Sequence, residues 1–109
     1  MARLVQNGIH EDIEVLAERI QKGIVNGSIS ASVEDVVRMH GEFAKCIVMV
    51  FERYSYMGSN RVSMNVTLFQ EQGGPVQLTA ITSGGSQAMF FKINTFGEEA
   101  FLDKLREIL

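Results

Sequence analysis

Cysteine, proline and long apolar runs are all scarce in this 109-residue chain, and each shortage excludes something. A single cysteine, Cys46, permits no intramolecular disulfide, so the chain is not a disulfide-stapled mini-protein. One proline and ten glycines exclude a collagen-like repeat and a Pro/Gly-rich disordered segment. The longest purely apolar stretch, Cys46 to Phe51, falls far short of the roughly 20 residues that span a bilayer. The opening Met-Ala-Arg-Leu-Val-Gln-Asn-Gly lacks the apolar core and small-residue cleavage site of a secretory signal. A cytoplasmic location with no membrane association is therefore expected. A basic excess is missing too: thirteen acids against ten bases give a net charge of −3, which argues against a nucleic-acid partner. His10, His40 and Cys46 are too dispersed for metal-ligand spacing, so no metal and no cofactor are expected. No nucleophile-elbow or Cys–His signature appears, and no catalytic residue is assigned.

What remains is the composition of a folded domain. The apolar fraction is 46% and the length suits one domain over residues 1–109. From about His10 to Val25, Ile13, Leu16, Ala17, Ile20 and Ile24 recur at helical spacing, with acids early and Arg19 and Lys22 late. A second helix is predicted from about Phe96 to Leu109, with Phe101, Leu102, Leu105, Ile108 and Leu109 as its apolar stripe. Thr95 and Glu98 there have capping-box spacing, with Glu98 facing water.

The segment between the helices reads as strand and turn. Val62, Met64, Val66 and Leu68 alternate with Arg61, Ser63, Asn65 and Thr67, which predicts a strand over Arg61–Gln70 with one wet face. Phe43 to Tyr56 reads as a long strand, placed centrally because Cys46–Phe51 is apolar on both faces. Further strands are predicted over Val76–Thr82, after the Gly73-Gly74-Pro75 turn, and over Gln87–Asn94. Ile29–His40 reads as a strand broken near Glu34-Asp35, with a short capped helix from Ser32 as the alternative. Arg3–Gln6 suggests a short edge strand. The predicted class is α+β: an antiparallel five- to six-stranded meander sheet with an N-terminal and a C-terminal helix packed on one face.

Three segments carry a resemblance: Gly27 to Ser32, the run FERYSYMGSNRVSMNVTLFQ (Phe51 to Gln70), and AITSGGSQAMFFKINTFGEEAFLDKLREIL (Ala80 to Leu109). Through them the chain resembles DUF6054, a family of small bacterial proteins of unknown function. The resemblance implies a single bacterial domain and brings no functional residue with it.

Functional candidates therefore come from surfaces. Ser83-Gly84-Gly85-Ser86 suits either an anion-binding nest, with Lys92 just beyond it, or a simple turn. The outer sheet face should carry Arg61, Ser63, Asn65, Thr67, Gln77 and Thr79, with Phe90 and Lys92 pointing the same way and Tyr54 near a strand end. Arg53, Arg61 and Lys92 are the cations available to hold an anionic metabolite. The first functional reading is a non-enzymatic, self-associating binding module, a homodimer through the sheet face or an edge strand. The second is a small-ligand carrier with an apolar pocket between the C-terminal helix and the sheet, the Ser83–Ser86 turn at its mouth. The third is an enzyme acting on an anionic metabolite.

Overall fold

The computed structural model describes residues 1–55, 60–84 and 91–109, with the backbone alone for residues 91–96. Its elements run β1 (Ala2–Ile9), α1 (Ile13–Gly27), β2 (Ser32–His40), β3 (Ala44–Ser55), β4 (Asn60–Glu71), β5 (Val76–Gly84) and α2 (Phe91–Ile108). The five strands form one antiparallel sheet in the order β1-β5-β4-β3-β2. Strands β2 to β5 are a meander, and β1 adds to the far side of β5. The connection through α1 thus carries the chain from one edge of the sheet to the other.

Alternation in β4 works as its sequence predicts: Val62, Met64, Val66 and Leu68 have no exposed surface, and their neighbours face away. They meet Ile47, Met49 and Phe51 of β3, Leu78 and Ala80 of β5, and the stripes of both helices. In α1 that stripe is Ile13, Leu16, Ala17, Ile20 and Ile24, and Asp12 caps the helix by accepting from the Glu14 and Val15 amides. The cap sits two residues past the expected start at His10 because Asp12, not the histidine, has the oxygen those amides need. The break anticipated near Glu34-Asp35 is a register shift between Val33 and Asp35 inside one strand, so β2 is continuous and no helix forms there. A second shift, between Gln6 and Ile9 of β1, contains Gly8 at φ +75°, a left-handed conformation that favours glycine.

The largest departure from expectation is at α2. The predicted strand over Gln87–Asn94 is overturned from Phe91 onward, where the backbone is helical, and Gln87–Phe90 lie outside the described residues. Thr95 is accordingly inside the helix, not at its cap. Glu98 shares the buried face of Phe101, Leu102 and Leu105, being three, four and seven residues before them. Only 4% of Glu98 is exposed, and its carboxylate accepts from the Met1 amine and from the Gly84 amide at 2.8 Å. Its carbonyl accepts from Thr82 Oγ1 at 3.2 Å. The expected capping carboxylate is instead a buried tie between α2 and the ends of β1 and β5. Next to it, Gly97 lets the helix approach β3: a Cβ there would lie 2.6 Å from Ser55 Oγ.

On the other side of the molecule Glu14 of α1 receives Arg38 of β2 through two nitrogens at 2.9 Å, and Lys45 of β3 at 2.5 Å. Hydrogen bonds from Arg38 and then Lys45 hold its carboxyl down from 4.5 to about 2. Because the folded value lies below the unfolded one, this contribution to stability is whole above pH 4.5 and fades as the pH falls toward 2. Urea melts should therefore show a shallower acid loss of stability for Glu14→Gln than for wild type across that window; identical acid limbs contradict the clamp. Glu98→Ala, which strands the Gly84 amide, should cost about 1–3 kcal/mol, while the exposed Glu99→Ala stays within about 0.5 kcal/mol. Equal losses for the two would contradict the buried tie.

Candidate interaction face

Both helices lie on the same side of the sheet, and no described element packs on the other. Directly paired residues of an antiparallel sheet share a face, so the register defines what that open side presents. Its middle row runs Asp35, Val50, Asn65, Ile81, Arg3 from β2 to β1. The next row runs Val37, Val48, Thr67, Thr79, Val5, and the one after it Met39, Cys46, Phe69, Gln77. On the other side of the middle row lie Ser32, Glu52, Ser63 and Ser83.

The polar members Arg61, Ser63, Asn65, Thr67, Gln77 and Thr79 face outward as the alternation of β4 and β5 predicts. The apolar half was missed. Val5, Val37, Met39 and Ile81 are exposed at 54%, 47%, 51% and 39%, and Cys46, Val48, Val50 and Phe69 are half-buried beside them. The signal was present in the Cys46–Phe51 run: a strand apolar on both faces, in a sheet whose helices cover one, must show its other face to something else.

The structure brings part of the predicted site together. Arg61, Ser63, Ser83 and Gly84 line a cleft of about 230 Å³ with Glu52, at one end of the open face. Ser63 Oγ and Ser83 Oγ are 2.9 Å apart, and Arg61 Nε donates to Glu52 Oε1 at 2.8 Å. An anion at Arg61 must therefore compete with a carboxylate already in place. Tyr54 lies opposite Arg61 on β3, and its amide donates to Ser30 Oγ at 3.0 Å. Ser83 and Gly84 belong to β5 and not to a turn, because β4 continues to pair with them as far as Val62. Gly85 and Ser86 lie outside the described residues, and so does Phe90.

Two expected members are elsewhere. Lys92 is in α2, not on a strand of the sheet. Arg53 pairs with the buried Val62 and so faces the helices. Its guanidinium lies 4.9 Å from the Phe101 ring centroid and donates to Ser28 Oγ at 2.9 Å, beside the end of α1. The last turn of α1 has no basic residue of its own, and Arg53 supplies positive charge near that negative helix end. Desolvation by burial lowers its pKa from the ordinary arginine value. The three cations proposed for an anionic metabolite thus do not share a surface: Arg61 is on the open face, Arg53 under the helices.

Elsewhere, a polar cleft of about 540 Å³ opens at the other end of the sheet, between the start of α1 and the 41–44 and 72–74 loops. Its Lys45 is engaged by Glu14, and both amide hydrogens of its Gln70 are used, donating to the Glu11 and Gly74 carbonyls while the oxygen accepts from the Ile13 amide. Where it is described, the space between α2 and the sheet that a ligand carrier needs is filled by Phe101, Leu102 and Leu105, all with no exposed surface. Among the described residues no group of three or more His, Cys, Asp or Glu could hold a metal ion, and no helix is long and apolar enough to cross a membrane.

A family model for proteins of unknown function, DUF6054, matches residues 1–109. The chain belongs to that family. No curated protein and no solved structure matches it.

If Arg53 is structural, Arg53→Ala should lower stability to urea by about 1–2 kcal/mol through the lost ring contact and hydrogen bond. Arg61→Ala, losing one exposed ion pair, should cost less than about 1 kcal/mol. The reverse order would return Arg53 to the list of ligand-binding candidates.

Proposed function

We propose that this chain is a non-enzymatic module that associates with a second copy of itself through the open face of its sheet. The observation that carries the reading is the apolar group on that face, Val37 of β2, Val48 and Val50 of β3 and, across Asn65 and Thr67 of β4, Ile81 of β5, with no described element on it. Exposed apolar groups clustered in this way mark interaction surfaces in soluble proteins. Polar and charged groups rim the centre: Asp35, Glu52, Arg61, Gln77 and Arg3. An apolar middle inside a polar rim is the usual anatomy of an interface.

Size supports a second copy. Five strands about 4.8 Å apart, over a shortest strand of eight residues at about 3.3 Å each, give a face of roughly 600 Å² in flat projection. Side-chain relief raises its accessible area toward the roughly 800 Å² per partner of a standard stable interface. Two sheets stacked face to face bury alternate side chains as in a β-sandwich, and a two-fold dimer is the commonest closed assembly.

The test is sedimentation equilibrium at high micromolar concentration. Wild type should show twice the mass of one chain, and Val48→Glu, which puts a charge in the middle of the patch, the mass of one, with an unchanged circular dichroism spectrum. A wild-type monomer at that concentration overturns the reading, and so does a Val48→Glu protein that folds and still dimerises.

A further inference from the structure

Resting on the reading above, we infer that the second copy docks about a two-fold axis parallel to the strands and centred on β4, so that Asp35 of each chain meets the partner's Arg3. Two classes of two-fold axis stack this face on itself. One runs along the central strand and lays the β2 edge over the partner's β1 edge. The other runs across the strands and lays each edge over its own copy. A uniformly twisted sheet is symmetric under both rotations, so shape does not choose between them. Charge does.

The middle row of the face ends in an acid on β2, Asp35, and a base on β1, Arg3, with Val50, Asn65 and Ile81 between them. Both ends are exposed, and neither is in an ion pair among the described residues. An axis along β4 reverses that row over itself, bringing each acid to a base at both ends of the interface. An axis across the strands through the same row sets Asp35 on Asp35 and Arg3 on Arg3. Apolar matching separates the axes only in the next row, where the transverse axis sets Val37 over Ser32; the middle row matches apolar to apolar under either. About the strand axis Val50 meets Ile81 and Val37 meets Val5, while Asn65 meets its own copy, an amide able to donate and accept.

Two other charges on this side of the sheet, Arg61 and Glu71 of β4, favour the alternative, because the strand axis lays each over its own copy. Glu71, the last residue of β4, lies near the strand axis and would face its own copy, whereas a displaced transverse axis brings it toward Arg61. Arg61 is already neutralised by Glu52 at 2.8 Å, which leaves one repulsive contact, Glu71 with its own copy, against two attractive Asp35–Arg3 contacts. The uncompensated pair at the row ends outweighs it.

Charge reversal at the two ends tests the axis, with the dimer dissociation constant as the readout at low salt. Arg3→Glu and Asp35→Lys should each weaken the dimer about tenfold, since each puts like charges at two symmetry-related contacts. The double variant restores Glu against Lys at both and should return to within about twofold of wild type. High salt should shrink the differences. If wild type dimerises but the single variants leave its affinity unchanged, the strand-parallel axis is wrong while the face remains an interface. Weakening by Glu71→Lys with indifference at residues 3 and 35 likewise overturns it, in favour of the transverse axis. A wild-type monomer removes both this inference and the reading it rests on.

Discussion

Packing of α1 and α2 against the same side of a five-stranded sheet is the constraint from which the other features follow. Fully burying a leucine, isoleucine or phenylalanine is worth about 1.5–3 kcal/mol, and the inner face collects such residues from every layer. Leu16, Ile20 and Ile24 come from α1, Phe101, Leu102 and Leu105 from α2, and Phe51, Met64, Leu68 and Leu78 from the sheet. The connectivity makes this possible. Because β1 and β2 occupy opposite edges, the helix between them must cross the sheet, and it crosses on the side where α2 also lies.

Polar ties then fix how the helices sit. Glu14 locks the start of α1 to β2 and β3, Gln70 joins its first amide to β4, and Arg53 closes its far end against Phe101. Glu98 does the same for α2, at the cost of burying a carboxylate, which is tolerable only because the Gly84 amide and the Met1 amine meet it there. The same one-sided arrangement leaves β3 with apolar residues on a side that nothing described covers. On the proposed reading, the opposite charges at its two edges suit that side to a copy of itself.

Much of the inner layer was legible from periodicity. The alternation of β4, the stripe of α1 and the disturbance at Glu34 all follow from side-chain spacing, which records burial directly. Three things were not legible, each for a physical reason. In β3 both alternating sets are apolar between Cys46 and Phe51, so spacing alone does not say which set faces the helices. Pairing with β4 decides it, and with it the inward placement of Arg53. Phe91 and Ile93 alternate over a window too short to separate strand from helix, so spacing predicts a strand where α2 begins. Glu98 was expected in water because a carboxylate's partners, here from residues 84 and 1, are distant in sequence. Of the candidate site, Arg61, Ser63 and Asn65 fell where the alternation of β4 put them, Ser83 and Gly84 lie in β5 where a turn was expected, and the apolar half of the face became visible only with the strand order.

Methionine oxidation by peroxide reads both sides of the sheet in one experiment. Met39 lies on the open face at 51% exposure, and Met49 and Met64 are fully buried beneath the helices. In dilute protein Met39 should oxidise fast and the other two slowly, and raising the protein concentration should slow Met39 as a second copy covers it. Met39 as slow as Met49 in dilute monomer, or as fast at every concentration, would contradict an open face that closes on its own copy.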